Sequence, residues 1–204
     1  MHGIVHKALK EYVTDRTDDG GWETVRERAG VENRLYLPVS EYPDEEVTAV
    51  LETVADLTNH PEVAIRRDFG RYFAPSLLET FDAIVDDDWD ALETVLGLEE
   101  LYPRVVTKEG DPEETEISTQ RPGSGGVVVR YRSPRPFCPF LEGLVEGIGE
   151  EYGTALAVDT TALAPNEEVA AANVEGDAGA GATAEREAED DRYSCELAVR
   201  PAPD

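Results

Sequence analysis

The stretch Val127-Val128-Val129-Arg130-Tyr131-Arg132-Ser133-Pro134-Arg135 decides the fold. Its β-branched residues and its alternation predict a strand over 127–133, with Tyr131, Ser133 and Arg135 at i, i+2 and i+4 on one face. Gly123 to Gly126 supplies a hairpin turn, and Thr115 to Thr119 reads as the partner strand. Downstream, Leu141, Leu144, Val145 and Ile148 mark the apolar face of a helix from Phe140 to Tyr152, which Gly153 terminates. Strands from Thr154 to about Thr161 and from Tyr193 to Val199 complete a β-β-α-β-β unit with a four-stranded antiparallel sheet. Between them, Pro165 to Asp191 is mostly Ala, Glu, Gly and Asp. It is too poor in apolar residues to offset the entropy of ordering, and is expected to be an unstructured acidic insertion.

Upstream of this unit the period is helical. Ile4, Val5, Ala8, Leu9, Tyr12 and Val13 form one buried face of a first helix, and Asp18 to Gly21 make a turn before a short helix from Trp22 to Arg28. Leu35 to Val39 reads as extended or irregular. Proline followed by carboxylates suits a helix start, so helices are expected from Pro43 to Thr58, Pro61 to Arg71 and Pro75 to Val85. A last one, capped by Asp86 to Asp88, spans Trp89 to Leu101 and stops at Tyr102-Pro103. The chain is thus α+β, a helical half over 1–103 followed by a sheet half over 104–200, in one domain of 204 residues.

Composition narrows the function. Lys plus Arg number 18 against 45 Asp plus Glu, a net charge of −27 that excludes nonspecific nucleic-acid binding. Such a surface, with only three lysines, suits a salt-rich cytoplasm, where ions screen its self-repulsion. Cys138 and Cys195, the only cysteines, are too few for a disulfide scaffold and fit a reducing cytoplasmic location. No apolar run is long enough to span a membrane.

No nucleophile elbow, phosphate-binding glycine loop or H-E-x-x-H occurs, so no enzyme is indicated. Acidic pairs such as Glu45-Glu46 read as solvated surface. His2 and His6 lie four apart on the first helix, a spacing that can hold a metal, although exposed helix-face histidines are the commoner explanation. His60 reads as a loop residue. The polar triplet Tyr131, Ser133 and Arg135 is more informative: a phenol, a hydroxyl and a guanidinium converging on one face can hold a carboxylate.

With that triplet in a β-β-α-β-β half behind an all-helical half, the chain resembles the heme-nitric oxide/oxygen binding (H-NOX) family, the sensor domain of soluble guanylate cyclase and of bacterial proteins. In that family the Tyr-x-Ser-x-Arg residues hold the heme propionates. The opening Met1-His2-Gly3-Ile4-Val5-His6-Lys7-Ala8-Leu9 looks like the family's distal helix, placing Val5 and Leu9 on the heme. Asp68, Phe69, Gly70 and Tyr102-Pro103 match further landmarks. The resemblance covers 1–164 and 192–200, and implies heme as cofactor, nitric oxide sensing as function and signalling through a separate partner protein. That output would leave by a surface of the sheet half or by the helix containing Trp89.

One position departs from the family. Its heme iron is bound by a histidine about seven residues before the Tyr-Pro pair, where this chain has Val95, or Glu93 if two residues are inserted. Three readings follow. Heme is bound with altered ligation, His2 or His6 being the substitute axial ligands; or the cavity takes another carboxylated ligand without iron; or the core is filled and the module works by partner contact.

Overall fold

The computed structural model describes residues 1–17, 20–86, 88–106, 115–123, 125–163 and 193–203. The expected Asp18-Asp19 turn residues and the acidic insertion at 165–191 lie outside them. Five helices come first: α1 (Gly3–Arg16), α2 (Gly21–Arg28), α3 (Asp44–Thr58), α4 (Glu62–Thr80) and α5 (Ala91–Val106). Strands β1 (Glu116–Gln120) and β2 (Val127–Ser133), helix α6 (Cys138–Glu151), and strands β3 (Leu156–Ala162) and β4 (Tyr193–Pro201) follow. The sheet is antiparallel throughout, in the order β1-β2-β4-β3.

Along β2, Val127, Val129, Tyr131 and Ser133 point into the core and the residues between them point out. The register sets Val129 against Leu197 and Tyr131 against Cys195, so apolar side chains meet across the inner face. On the outer face, Arg130 donates to Glu196 at 2.8 Å.

Two helices run further than the sequence predicts. Pro75 lies inside α4 as one continuous helix to Thr80, where two helices separated before Pro75 are expected. Pro103 lies inside α5, which reaches Val106 instead of stopping at Tyr102. Proline removes one ladder donor and crowds the preceding turn, but burial of Phe73, Ala74 and Leu77 on one side, and of Leu101, Tyr102 and Val105 on the other, outweighs that cost. The cap of α5 also differs: Asp90 accepts from the Glu93 N–H at 2.8 Å while Glu93 accepts from the Asp90 N–H at 2.9 Å. This is a capping box built beyond the expected acidic run.

Helices α4 and α6 cross at backbone contact. A Cβ on Gly143 would stand 1.8 Å from the Arg67 carbonyl oxygen, and one on Gly70 would stand 2.0 Å from that of Phe140. Only glycine allows this approach. At the rim Arg67 and Arg71 bind Glu146, whose carboxyl burial would raise; the hydrogen bonds and charge of the two guanidinium groups bring it below the usual range.

Candidate functional site

The triplet is assembled at the seam between sheet and helices. Tyr131 and Ser133 enter from the inner face of β2, and Arg135 stands in the bend just past the strand, before α6 begins. The Ser133 hydroxyl lies 3.0 Å from that of Thr115 and accepts the Arg135 backbone N–H at 3.2 Å. Arg135 donates to Thr115 Oγ1 at 3.0 Å and pairs through Nη2 with the Asp44 carboxylate. Asp44 opens α3 and also receives the Met1 amino group. Thr115 and Asp44 were not singled out from the sequence: one precedes a strand, the other is an acid in a helix's first turn, and neither has a local signature.

The Tyr131 ring meets that of Tyr102 edge-on, centroids 5.8 Å apart. Neither phenol oxygen reaches a partner in hydrogen-bonding geometry, although they are close enough to affect each other's ionisation. Burial pushes both phenols up, so both are neutral at physiological pH.

The first-helix residues divide. Val5 and Leu9 face the core as expected. His6, expected as a helix-face residue or a substitute ligand, is buried against Tyr36 and Tyr42 at 5.1 and 5.3 Å, and its Nε2 donates to the Pro43 carbonyl at 3.0 Å. That bond commits the nitrogen a metal would use. His2 is paired with Glu41 in an isolated bridge, its Nδ1 buried without a partner. Burial pushes both imidazoles down. Among the described residues no three His, Cys, Asp or Glu side chains are grouped to hold a metal ion.

At the family's ligand position the two alternatives separate physically. Glu93 is tied into the α5 capping box, whereas Val95 points into the core. Val5, Leu9, Val95, Leu98, Tyr102, Tyr131 and Ser133 are each no more than 2% exposed. A pocket for a cofactor of this size has a volume of about 300–1,000 Å³, and a void of that kind would leave the residues around it exposed to it. None of these seven side chains lines such a void in this structure. Val95 offers iron no donor, so the family's axial bond has no counterpart at that position.

The cysteines depart from expectation too. Cys138 and Cys195 are joined in a disulfide, their Cα atoms 6.2 Å apart across 57 residues of sequence. Read as free thiols in the sequence, they meet because the start of α6 lies over the first half of β4.

This helical half and four-stranded sheet form the H-NOX fold. The sequence model of the Haem-NO-binding family matches residues 2–160, and the chain belongs to that family. It is similar to an H-NOX protein from S. oneidensis, solved in the Fe(II)NO ligation state, at 20% identity and TM-score 0.75, with both chains covered in full. A mutant of the T. tengcongensis H-NOX superposes at TM-score 0.74 with 16% identity, over all of this chain and 98% of the other. An oxygen-binding H-NOX domain related to soluble guanylate cyclases gives 0.72 and 16%, over all of this chain and 96% of that one. No curated protein matches the sequence. Among the described residues no helix is long and apolar enough to cross a membrane.

Proposed function

We propose that this member of the Haem-NO-binding family is a regulatory module that works without heme iron and passes its signal to a separate partner protein. One observation carries the reading: Val95, at the family's ligand position, is an apolar side chain as fully buried as Tyr131 and Ser133. Without an iron–imidazole bond, gas binding has no bond to break and no helix to release, so the input is something other than ligation at iron. No catalytic role is assigned to any residue.

A second reading, nitric oxide sensing through heme as its family implies, is favoured by the clustering of Tyr131, Ser133 and Arg135. Arg135 and the Ser133 hydroxyl are the groups a propionate, or the carboxylate of another small ligand, would need, and they stand together. Their engagement with Asp44 and Thr115 means that the same cluster also closes on itself. Titration of the full chain with hemin in molar salt separates the two: the proposed function gives no saturable Soret band, and the second gives saturation at one equivalent.

A further inference from the structure

We propose that Cys138 and Cys195 form a reversible thiol–disulfide site, reduced by a dithiol, whose closure fixes the turn that carries Arg135. It is independent of whether any ligand enters the interior. The chain has no other cysteine, so the exchange chemistry is confined to one bond.

The two cysteines differ in exposure. Cys195 lies in β4 opposite Tyr131 and is 1% exposed. Cys138 is the first residue of α6 and is only partly buried. An incoming thiolate therefore meets Cys138 Sγ. It forms a mixed disulfide there, the protein S–S bond breaks, and Cys195 leaves as a thiolate that takes up a proton. The second sulfur of the dithiol then attacks the mixed disulfide and releases Cys138. The protein gains two electrons and two protons, and the dithiol becomes a disulfide.

The surroundings supply the nucleophile for the return reaction. A helix N-terminus carries partial positive charge, which stabilises a thiolate, and the first turn of α6 holds no acid to cancel it. A thiolate at Cys138 is the species that closes the bond when a disulfide oxidant replaces the dithiol.

Position gives the bond its consequence. Arg135 stands one short turn ahead of Cys138, and it holds Asp44 of α3 and Thr115. The closed disulfide ties the start of α6 to the central strand and so anchors both ends of that turn. Opened, the start of α6 loses its covalent tie to the sheet.

The test uses the full chain in molar salt, equilibrated natively with mixtures of reduced and oxidised dithiothreitol, quenched with iodoacetamide and counted by intact mass. Near-ultraviolet circular dichroism follows the tyrosine bands, since Tyr131 sits beside Cys195. The expected result is no label under oxidising conditions, two labels appearing together in the folded protein, a parallel tyrosine change, and full reversal on re-oxidation. Labelling of the oxidised protein overturns the inference, as does a bond that yields to dithiol only once urea has unfolded the chain. Cys195→Ser adds a second arm. Treated with oxidised glutathione, its Cys138 forms one mixed disulfide in the folded state, releasing one reduced glutathione, if the site is as described; should that variant not fold, the wild-type titration alone decides.

Discussion

Arg135, in the bend after β2, reaches the Asp44 carboxylate in the first turn of α3, so the strand that carries the polar triplet is bound by charge to the helical half. Both side chains are largely buried, Arg135 being 12% and Asp44 14% exposed. A pair this buried is costly to break from one side, because the remaining charge stays desolvated. Arg135→Ala and Asp44→Ala are each expected to lower unfolding stability by about 3 kcal/mol. The double variant should lose clearly less than the sum. Urea denaturation in molar salt checks this, and strict additivity would show that the two do not interact.

The α4–α6 crossing gives a sharper steric prediction. Gly143→Ala forces a methyl group onto the Arg67 backbone carbonyl, which cannot move without shifting a helix. A loss of at least about 3 kcal/mol or failure to fold is expected. Gly97→Ala is the control, because its new Cβ would meet only the Trp89 ring at 2.6 Å, a side chain that can rotate. Thermal melts of the two variants should differ by several degrees.

What the sequence made legible, and what it did not, follows the same physics. Strand β2 and its inward set were legible because alternation is a local property, and α1 because its apolar face repeats at three and four. The continuity of α4 through Pro75 was not, since proline reads as a helix start until tertiary burial is known to outweigh the missing donor. Tyr131, Ser133 and Arg135 could be grouped from spacing alone. Their partners Asp44 and Thr115 could not, being far from Arg135 in sequence and set beside it by packing. The Cys138–Cys195 bond was hidden for the same reason, and so was the burial of His6 among aromatic rings contributed by the segment before α3.

His6 predicts a pH dependence. Burial holds its pKa below the ordinary 6.5 in the folded state, although Glu46 and the Pro43 carbonyl oppose the shift. The unfolded chain therefore takes up the proton first, and the His6 contribution is complete above about pH 6.5 and shrinks as pH falls below it. Urea midpoints between about pH 7.5 and about pH 5.5 should fall more steeply for wild type than for His6→Gln, whose amide can still donate to Pro43. Equal slopes would show that His6 does not titrate differently in the two states.

Val95→His restores an imidazole at the family's ligand position without making room for a cofactor. Placing a polar ring in this apolar site should cost about 1–3 kcal/mol and confer no stoichiometric heme binding. A one-equivalent Soret band in that variant would mean that the interior opens readily and only the donor is missing.

Central to the account is a core closed where the family places heme, and absorption of the wild-type full chain during hemin titration tests it most directly. The spectra should be recorded in molar salt, oxidised and then reduced, before and after nitric oxide. The account predicts a featureless, non-saturating rise that Arg135→Ala leaves unchanged and nitric oxide does not shift. A Soret band saturating at one equivalent, weakened by Arg135→Ala and displaced by nitric oxide, would contradict it and establish a heme sensor with ligation other than the family's.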